Sequence, residues 1–188
     1  MQLGRQRAPK HHQGTHMRPY LRVANVFEDR LDLSDVKEMN FTPVEYEIYK
    51  LEYGDILLNE GQSPEYLGRP AMYKGELPGG CFQNTLIRFQ AFDFVDRHFA
   101  LLVFRHYMHA GRFTQESQIT TNMAHLSAGR FGDVEFPLPP LAEQRRIVAE
   151  VERRLSVARQ VETAVEAALV RAARLRQAVL KSAFEGRL

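Results

Sequence analysis

Residues 136–148 read FPLPPLAEQRRIV, and this stretch divides the chain into two unlike regions. Before it, glycine, proline and aromatic residues are frequent and apolar runs are short. After Pro140 neither glycine nor proline occurs until Gly186, and alanine, arginine, glutamate, leucine and valine dominate. Such a composition is typical of one long helix. We therefore expect a globular domain over residues 1–138 and a helical segment over residues 139–188.

The helical segment carries its own start signal and a continuous apolar stripe. Two prolines favour a helix start, and Glu143 falls in the first turn, where the helix dipole stabilises a negative charge. About 44 residues at a rise of 1.5 Å per residue give a rod of roughly 65 Å, too long to bury its stripe against the first region alone. The stripe recurs every three or four residues, as in a coiled-coil seam, and so calls for a partner helix. Its members are Val148, Val151, Leu155, Ala158, Val161, Val165, Ala168, Ala172, Leu175 and Val179.

The first region mixes strand and helix signals without a regular βαβ rhythm. Thr42-Pro43-Val44-Glu45 combines a capping box with a proline at the first helical position, which predicts a helix to about residue 51. An apolar run predicts a second, buried helix that Gly111 ends. The pattern favours an α+β domain with a mixed, twisted sheet and short helices. The predicted strands are 21–27, 55–58 and 85–89, the second helix is 96–109, and the polar loops are 59–70, 77–84 and 114–122.

Net charge, cysteine count and the length of apolar runs exclude only a few classes of protein. The formal net charge is +2, but residues 1–27 hold five arginine or lysine residues and no acidic residue. The single cysteine, Cys81, excludes an internal disulfide framework and fits a reducing compartment. No apolar run reaches the roughly 18–20 residues of a membrane span, and the N-terminus lacks the apolar core of a signal peptide. We expect a cytoplasmic protein with no membrane partner.

Motifs for catalysis are missing. The chain has neither a GxxxxGK[ST] phosphate loop nor a GxGxxG turn. Its Pro-Pro step lacks the flanking Asn or Asp and the aromatic residue with which an amino-methyltransferase grips a flipped base. His106 and His109, with His98 nearby, could in principle bind a metal, but on an apolar helix they fit core or rim positions better. We expect a noncatalytic chain without a metal or cofactor of its own.

Residues 59–63 and 115–122 concentrate amide and hydroxyl groups of the kind that read DNA bases. Asn and Gln can pair bidentately with adenine, Arg with guanine, and Glu can accept a hydrogen bond from cytosine. Polar loops also occur on surfaces that bind nothing. By itself this pattern therefore leaves an ordinary solvated surface open.

Several stretches resemble one known family. The run FPLPPLAEQRRIV is similar to the signature that ends the target-recognition domain and begins the spacer helix in specificity subunits of type I restriction–modification systems. The last residues, LRQAVLKSAFEGRL (175–188), resemble the end of that helix. YLRVANV (20–26) and YGDILL (53–58) resemble strands of the recognition domain. The resemblance thus extends over almost the whole chain.

The resemblance implies a subunit that binds bipartite sites in double-stranded DNA and directs adenine methylation and restriction to them. Methylation subunits would bring S-adenosylmethionine, and restriction subunits would use ATP and Mg²⁺. The usual family member has two recognition domains and two antiparallel helices, whereas this sequence has one of each. A homodimer would supply the missing helix through a symmetric contact. The dimer-helix residues would include Val148, Val151, Leu155, Val165, Leu175 and Val179.

With that family in view, the basic N-terminal run and the polar loops become candidates for DNA contact. Three alternatives stay open: a recognition module paired with a combined methyltransferase–nuclease in another phage-defence system, a stored recombination fragment, and an enzyme with an unrecognised nuclease site. The candidate DNA-binding residues are Arg5, Arg7, Lys10, His11, His12, Arg18, Asn59, Gln62, Ser63, Arg69, Gln115, Ser117, Gln118, Thr120 and Asn122.

Overall fold

Four small β-sheets and five α-helices are present in the computed structural model, which describes residues 1–115, 117–120 and 123–187. The strands are β1 Gln2–Leu3, β2 Met17–Leu21, β3 Val26–Phe27, β4 Arg30–Leu31, β5 Lys37–Asn40, β6 Ile56–Asn59, β7 Gly61–Gln62, β8 Pro70–Met72, β9 Cys81–Phe82, β10 Leu86–Phe89, β11 Gln118–Thr120 and β12 Met123–His125. The helices are α1 Pro43–Tyr49, α2 Arg97–His109, α3 Arg112–Gln115, α4 Ala128–Asp133 and α5 Leu141–Phe184. These elements fall into two compact units, Met1–Gln144 and Arg145–Leu188.

The sheets of the first unit are short and differ in topology. The largest has the order β1-β10-β6-β8 with antiparallel pairs. A second sheet, β5-β2-β9, is mixed, because β2 runs antiparallel to β5 and parallel to β9. The third has the order β11-β12-β7, and β3 with β4 forms a separate hairpin. The predicted α+β architecture is confirmed.

Strand β6 lies at the centre of the core because both of its faces are covered. Ile56 and Leu58 pack in one apolar cluster with Phe104 of α2, whereas Leu57 packs in a second cluster with Phe82. Alternate residues of a strand point to opposite faces, so this division follows from the pleat. Cys81 is fully buried in a third cluster, and burial raises the pKa of its thiol to about 12.

Local signals predicted several elements correctly. Strands β6 and β10 match the predicted 55–58 and 85–89, and α2 follows the predicted 96–109 with Asp96 as its N-cap. The capping box of α1 is formed as expected: the Thr42 amide donates to Glu45 Oε2 at 2.8 Å, and the Glu45 amide donates to Thr42 Oγ1 at 3.3 Å. These signals act over three or four residues and do not depend on distant packing.

The predicted strand over 21–27 is wrong. Strand β2 ends at Leu21, a 3₁₀ turn spans Val23–Asn25, and β3 begins only at Val26. The cause is Asn25, whose buried side chain accepts from the Arg22 amide and donates to the carbonyls of Asp32 and Asp35. Asparagine competes for backbone groups in this way and favours a turn over an extended ladder.

Helix α5 is the predicted long helix, with Glu143 in its first turn. The first unit ends at Gln144 rather than at residue 138, because the buried Gln144 side chain bonds to the Asp96 amide and to the Phe94 and Pro139 carbonyls. Within the second unit, the stripe residues from Leu155 onward are exposed, from 39% for Leu155 to 66% for Leu175, whereas Val148 and Val151 are partly buried. Among the described residues, no helix combines the length and the apolarity needed to cross a membrane.

Candidate DNA interface

Backbone pairing brings the two predicted polar loops together. Strand β7, from the first loop, pairs antiparallel with β12, and β12 pairs with β11 from the second loop. Gln62 stands opposite Ala124, and Thr120 stands opposite Met123. The sheet therefore joins segments that are more than fifty residues apart in sequence.

A side-chain hydrogen bond also joins the residues that follow β7 to those that precede β11, and a second bond lies within the latter segment. Thr114 Oγ1 donates to the Pro64 carbonyl at 3.0 Å, and Ser117 Oγ donates to the Thr114 carbonyl at 2.8 Å. Residues Pro64–Tyr66 form a 3₁₀ turn that follows Ser63 directly. Gln62, Ser63 and Ser117 are partly exposed and Gln115 is exposed. These four candidates thus lie on two segments that the structure joins, and we call this group of four residues the polar face.

A groove of about 710 Å³ opens beside this turn. Tyr66 and Glu65 line one side, and His109, Gly111 and Gln115 line the other. Gly68 allows the chain to approach so closely, because its φ is +71° and a Cβ atom there would meet the Phe113 ring at 2.4 Å. The groove extends the polar face from Gln115 to the aromatic ring of Tyr66.

Arg69 reaches the same neighbourhood through aromatic contacts. Its guanidinium carbon lies 4.7 Å from the ring centre of Phe27 and 5.3 Å from that of Tyr66. Arg30 lies over Phe27 as well, at 4.4 Å. Sequence reasoning selected Arg69 but missed Phe27, Arg30 and Tyr66. Phe27 and Arg30 stand opposite each other across the two-residue turn Glu28-Asp29, which lacks the glycine of the usual hairpin signature, so no local signal pointed to them.

The basic N-terminal run leads into a different sheet, β5-β2-β9. Arg18 lies on β2, whereas Arg7, Lys10 and His12 lie in the segment before that strand, and all four are exposed. Arg7 Nε donates to His12 Nε2 at 3.1 Å, and the Arg18 guanidinium lies 4.5 Å from the Tyr46 ring centre. His11 is half-buried, and burial together with the charges of Arg5 and Lys10 lowers the pKa of its imidazole. His11 is therefore mainly neutral at pH 7 and adds little positive charge.

Two candidates are corrected by their burial. Arg5 is only 6% exposed, and its Nε and Nη2 atoms donate to Glu45 Oε1 at 2.9 and 2.7 Å. Asn59 is fully buried at the end of β6. The Arg5 side chain binds the N-terminal segment to α1 through Glu45, so its donors are not available to DNA. Asn59 cannot reach a DNA base from inside the core. The prediction that Arg5 and Asn59 contact DNA is therefore wrong.

The remaining candidates are placed less completely. Gln118 and Thr120 lie on β11, but their side chains are outside what the structure describes, and Asn122 lies outside the described residues altogether. His106 is exposed, and His109 Nε2 lies 2.9 Å from Glu28 Oε1. Both histidines thus lie on the exposed side of α2, which fits the interpretation as rim residues better than that as core residues.

Replacing Arg5 by alanine is expected to destabilise the fold. Hydrogen bonds to charged groups contribute about 1.5–3 kcal/mol each at most, and Glu45 stays partly hydrated, so we expect a loss of about 1–3 kcal/mol in the free energy of unfolding. Urea unfolding followed by circular dichroism measures this loss. Arg7→Ala is the matched control and should leave the midpoint unchanged. Equal midpoints for both variants would contradict the structural role of Arg5.

Comparisons with known proteins bear on what this surface does. Residues 11–162 match the family model described as type I restriction modification DNA specificity domain. The chain is 29% identical over 175 residues to the type I restriction enzyme StySPI specificity subunit of Salmonella potsdam, covering 89% of this chain and 37% of that protein. It is 26% identical over 172 residues to the EcoKI specificity subunit of Escherichia coli strain K12, covering 90% of this chain and 37% of that protein. The chain thus spans little more than a third of these relatives.

Solved structures show the same fold. The HsdS subunit from Thermoanaerobacter tengcongensis aligns with a TM-score of 0.58 and 21% identity, over 78% of this chain and 38% of that one. A chain from work on complex assembly and conformational transition of the type I R-M system aligns with a TM-score of 0.63 and 23% identity, over 99% of this chain and 43% of that one. The sequence relatives are named as specificity subunits, which agrees with the expectation of a noncatalytic chain. The chain belongs to the family of type I restriction modification DNA specificity domains.

Proposed function

We propose that this chain is a sequence-specific DNA-binding subunit of a type I restriction–modification complex. The observation that carries the proposal is the joining of two amide- and hydroxyl-rich segments into one polar face, within a chain of the specificity family. In such an interface, side chains on the polar face read base edges, while exposed basic residues contact phosphates. The chain itself performs no chemistry in this proposal.

The proposed assembly contains two copies of this chain. Two copies would pair through α5 and present one recognition unit to each half of a bipartite site. Methylation and restriction subunits would bind this dimer in the cytoplasm and supply S-adenosylmethionine, ATP and Mg²⁺ for adenine methylation and cleavage. The support for the dimer is the exposed apolar stripe of α5.

DNA titrations at several salt concentrations test the two kinds of contact separately. Replacing Arg7, Lys10 and Arg18 together by alanine should weaken binding to all sequences alike and lower the salt slope by about one per lost phosphate contact. Gln62→Ala should instead change which site is preferred, with a cost of about 1–3 kcal/mol where a bidentate base contact is lost. We expect Gln118→Ala and Asn122→Ala to resemble Gln62→Ala.

Lys74→Ala, which removes another exposed lysine, is the control for the basic run. An unchanged salt slope in the triple variant would place that run away from the DNA. Wild-type chain that binds all duplexes equally well would contradict sequence-specific recognition. Mapping methylated adenines after reconstitution with methylation subunits tests the larger assembly.

A further inference from the structure

Two arginines converge on one aromatic ring beside the polar face. The β3–β4 hairpin holds Phe27 opposite Arg30, and Arg69 reaches the same ring from the segment before β8. Tyr66 provides a second ring for Arg69. Tyr66 also lines the groove that leads to Gln115, so the arginine cluster and the polar face adjoin each other.

No carboxylate lies within 4 Å of the guanidinium nitrogens of this cluster in the part of the chain that the structure describes. Neither the Arg30 nor the Arg69 side chain has a hydrogen-bond or ion-pair partner there. The acidic residues of the hairpin turn are engaged elsewhere: Arg105 contacts Glu28 at 2.9 Å and Asp29 at 2.6 Å, and His109 also contacts Glu28. The Arg69 guanidinium is partly buried and has no ion-pair partner, so it favours a binding partner rich in hydrogen-bond acceptors.

The donors that remain on Arg69 point to a particular kind of acceptor. Its Nε atom is buried without a partner, whereas its two terminal nitrogens are not buried in this way. Burial lowers the pKa of the guanidinium, but arginine stays protonated at neutral pH. Contacts with two rings hold the planar fork in place, so little side-chain entropy is lost when it binds. A rigid pair of parallel donors matches the O6 and N7 acceptors of guanine in the major groove.

We propose that Arg69 reads a guanine of the target site, that Phe27 and Tyr66 position it, and that Arg30 contacts a neighbouring phosphate. This inference rests on the proposed DNA-binding function and names one base that is recognised beside the polar face. A phosphate contact alone would not require the guanidinium to be fixed between two rings. Arg30 is exposed and lies over one ring only, and so suits the less specific contact.

Selection of sites from randomised duplexes by the full chain tests the assignment. Sites enriched by wild type should contain a guanine whose preference falls roughly 5- to 150-fold in Arg69→Ala, the range that one bidentate contact supports. Arg69→Lys keeps the charge but loses the planar fork, so it should lose the same preference and keep the salt slope. Phe27→Leu should weaken the guanine preference although Arg69 is present, because the aromatic ring that positions the Arg69 guanidinium is lost.

Two further variants separate the roles. Arg30→Ala should weaken binding to DNA of all sequences alike and lower the slope of the salt dependence by about one. Arg97→Ala is the matched control, since Arg97 also lies over an exposed tyrosine, Tyr53, but at the opposite end of α2 from the groove. Arg97→Ala should leave both the selected DNA sequences and the salt dependence of binding unchanged.

Two results would overturn the guanine assignment while leaving DNA binding intact. In the first, Arg69→Ala selects the same guanine as wild type. In the second, Arg69→Ala weakens every sequence equally and lowers the salt slope, which would make Arg69 a phosphate contact. A wild-type chain that selects no sequence would instead refute the proposed function, and the inference with it. Thermal unfolding of each variant checks that the fold is retained, and Arg69→Lys keeps the test valid if Phe27→Leu unfolds.

Discussion

Leu155→Asp combined with Leu175→Asp is expected to convert dimers of this chain into monomers. Both leucines belong to the apolar stripe of α5, and they are 39% and 66% exposed in a single chain. Burying a fully exposed leucine contributes about 1.5–3 kcal/mol, so the exposed parts of the four side chains contribute about 3–6 kcal/mol in a dimer. A loss of that size raises the dissociation constant by about two to four orders of magnitude. Light scattering at micromolar concentration measures the change in mass.

A control must show that the effect comes from the stripe and not from added charge. Thr163→Asp with Gln177→Asp places the same charges two residues beyond Val161 and Leu175, which is about 200° around the helix and on its opposite face. This variant should remain dimeric. A monomeric wild-type chain at micromolar concentration would refute the dimer, and the two recognition units would then need another connection.

A four-residue insertion near residues 164–168 is expected to lengthen the unread gap between the two half-sites. Each recognition unit precedes its helix in the chain, so an antiparallel pair of helices separates the two units by its length. Four residues add about 6 Å, close to one helical turn, which keeps the apolar stripe roughly in register. At about 3.4 Å per base pair the gap should grow by one or two base pairs.

The half-site bases themselves should not change, because the residues of the polar face lie before residue 126. Mapping methylated sites made by complexes reconstituted with each variant distinguishes the gap from the half-sites. A two-residue insertion at the same place is a useful control, since it rotates the stripe by about 200° and should abolish pairing. Altered half-site bases with an unchanged gap would show that α5 does not set the spacing.

Features whose causes lie within a few residues could be predicted from the sequence. The capping box of Thr42 and Glu45 and the N-cap of Asp96 involve groups two or three residues apart. Helix α5 extends from Leu141 to Phe184 because no helix-breaking residue interrupts it. The family signature at residues 136–148 is likewise contiguous. Even here local reading had a limit, since the bonds of Asn25 to Asp32 and Asp35 ended the strand predicted for 21–27.

Composition and local patterns were enough to predict an α+β first region, a long helix with an apolar stripe, and two polar segments that became candidates for DNA contact through the family resemblance. Which of the candidate side chains are exposed depends on packing between distant parts of the chain. Arg5 and Arg69 look alike in the sequence, yet one is bound to Glu45, forty residues away, and the other lies between Phe27 and Tyr66 without a counterion. The exposure of a side chain and the number of its free donors depend on groups that packing brings close from distant parts of the chain. Local periodicity reports only on neighbouring residues and therefore cannot predict these contacts.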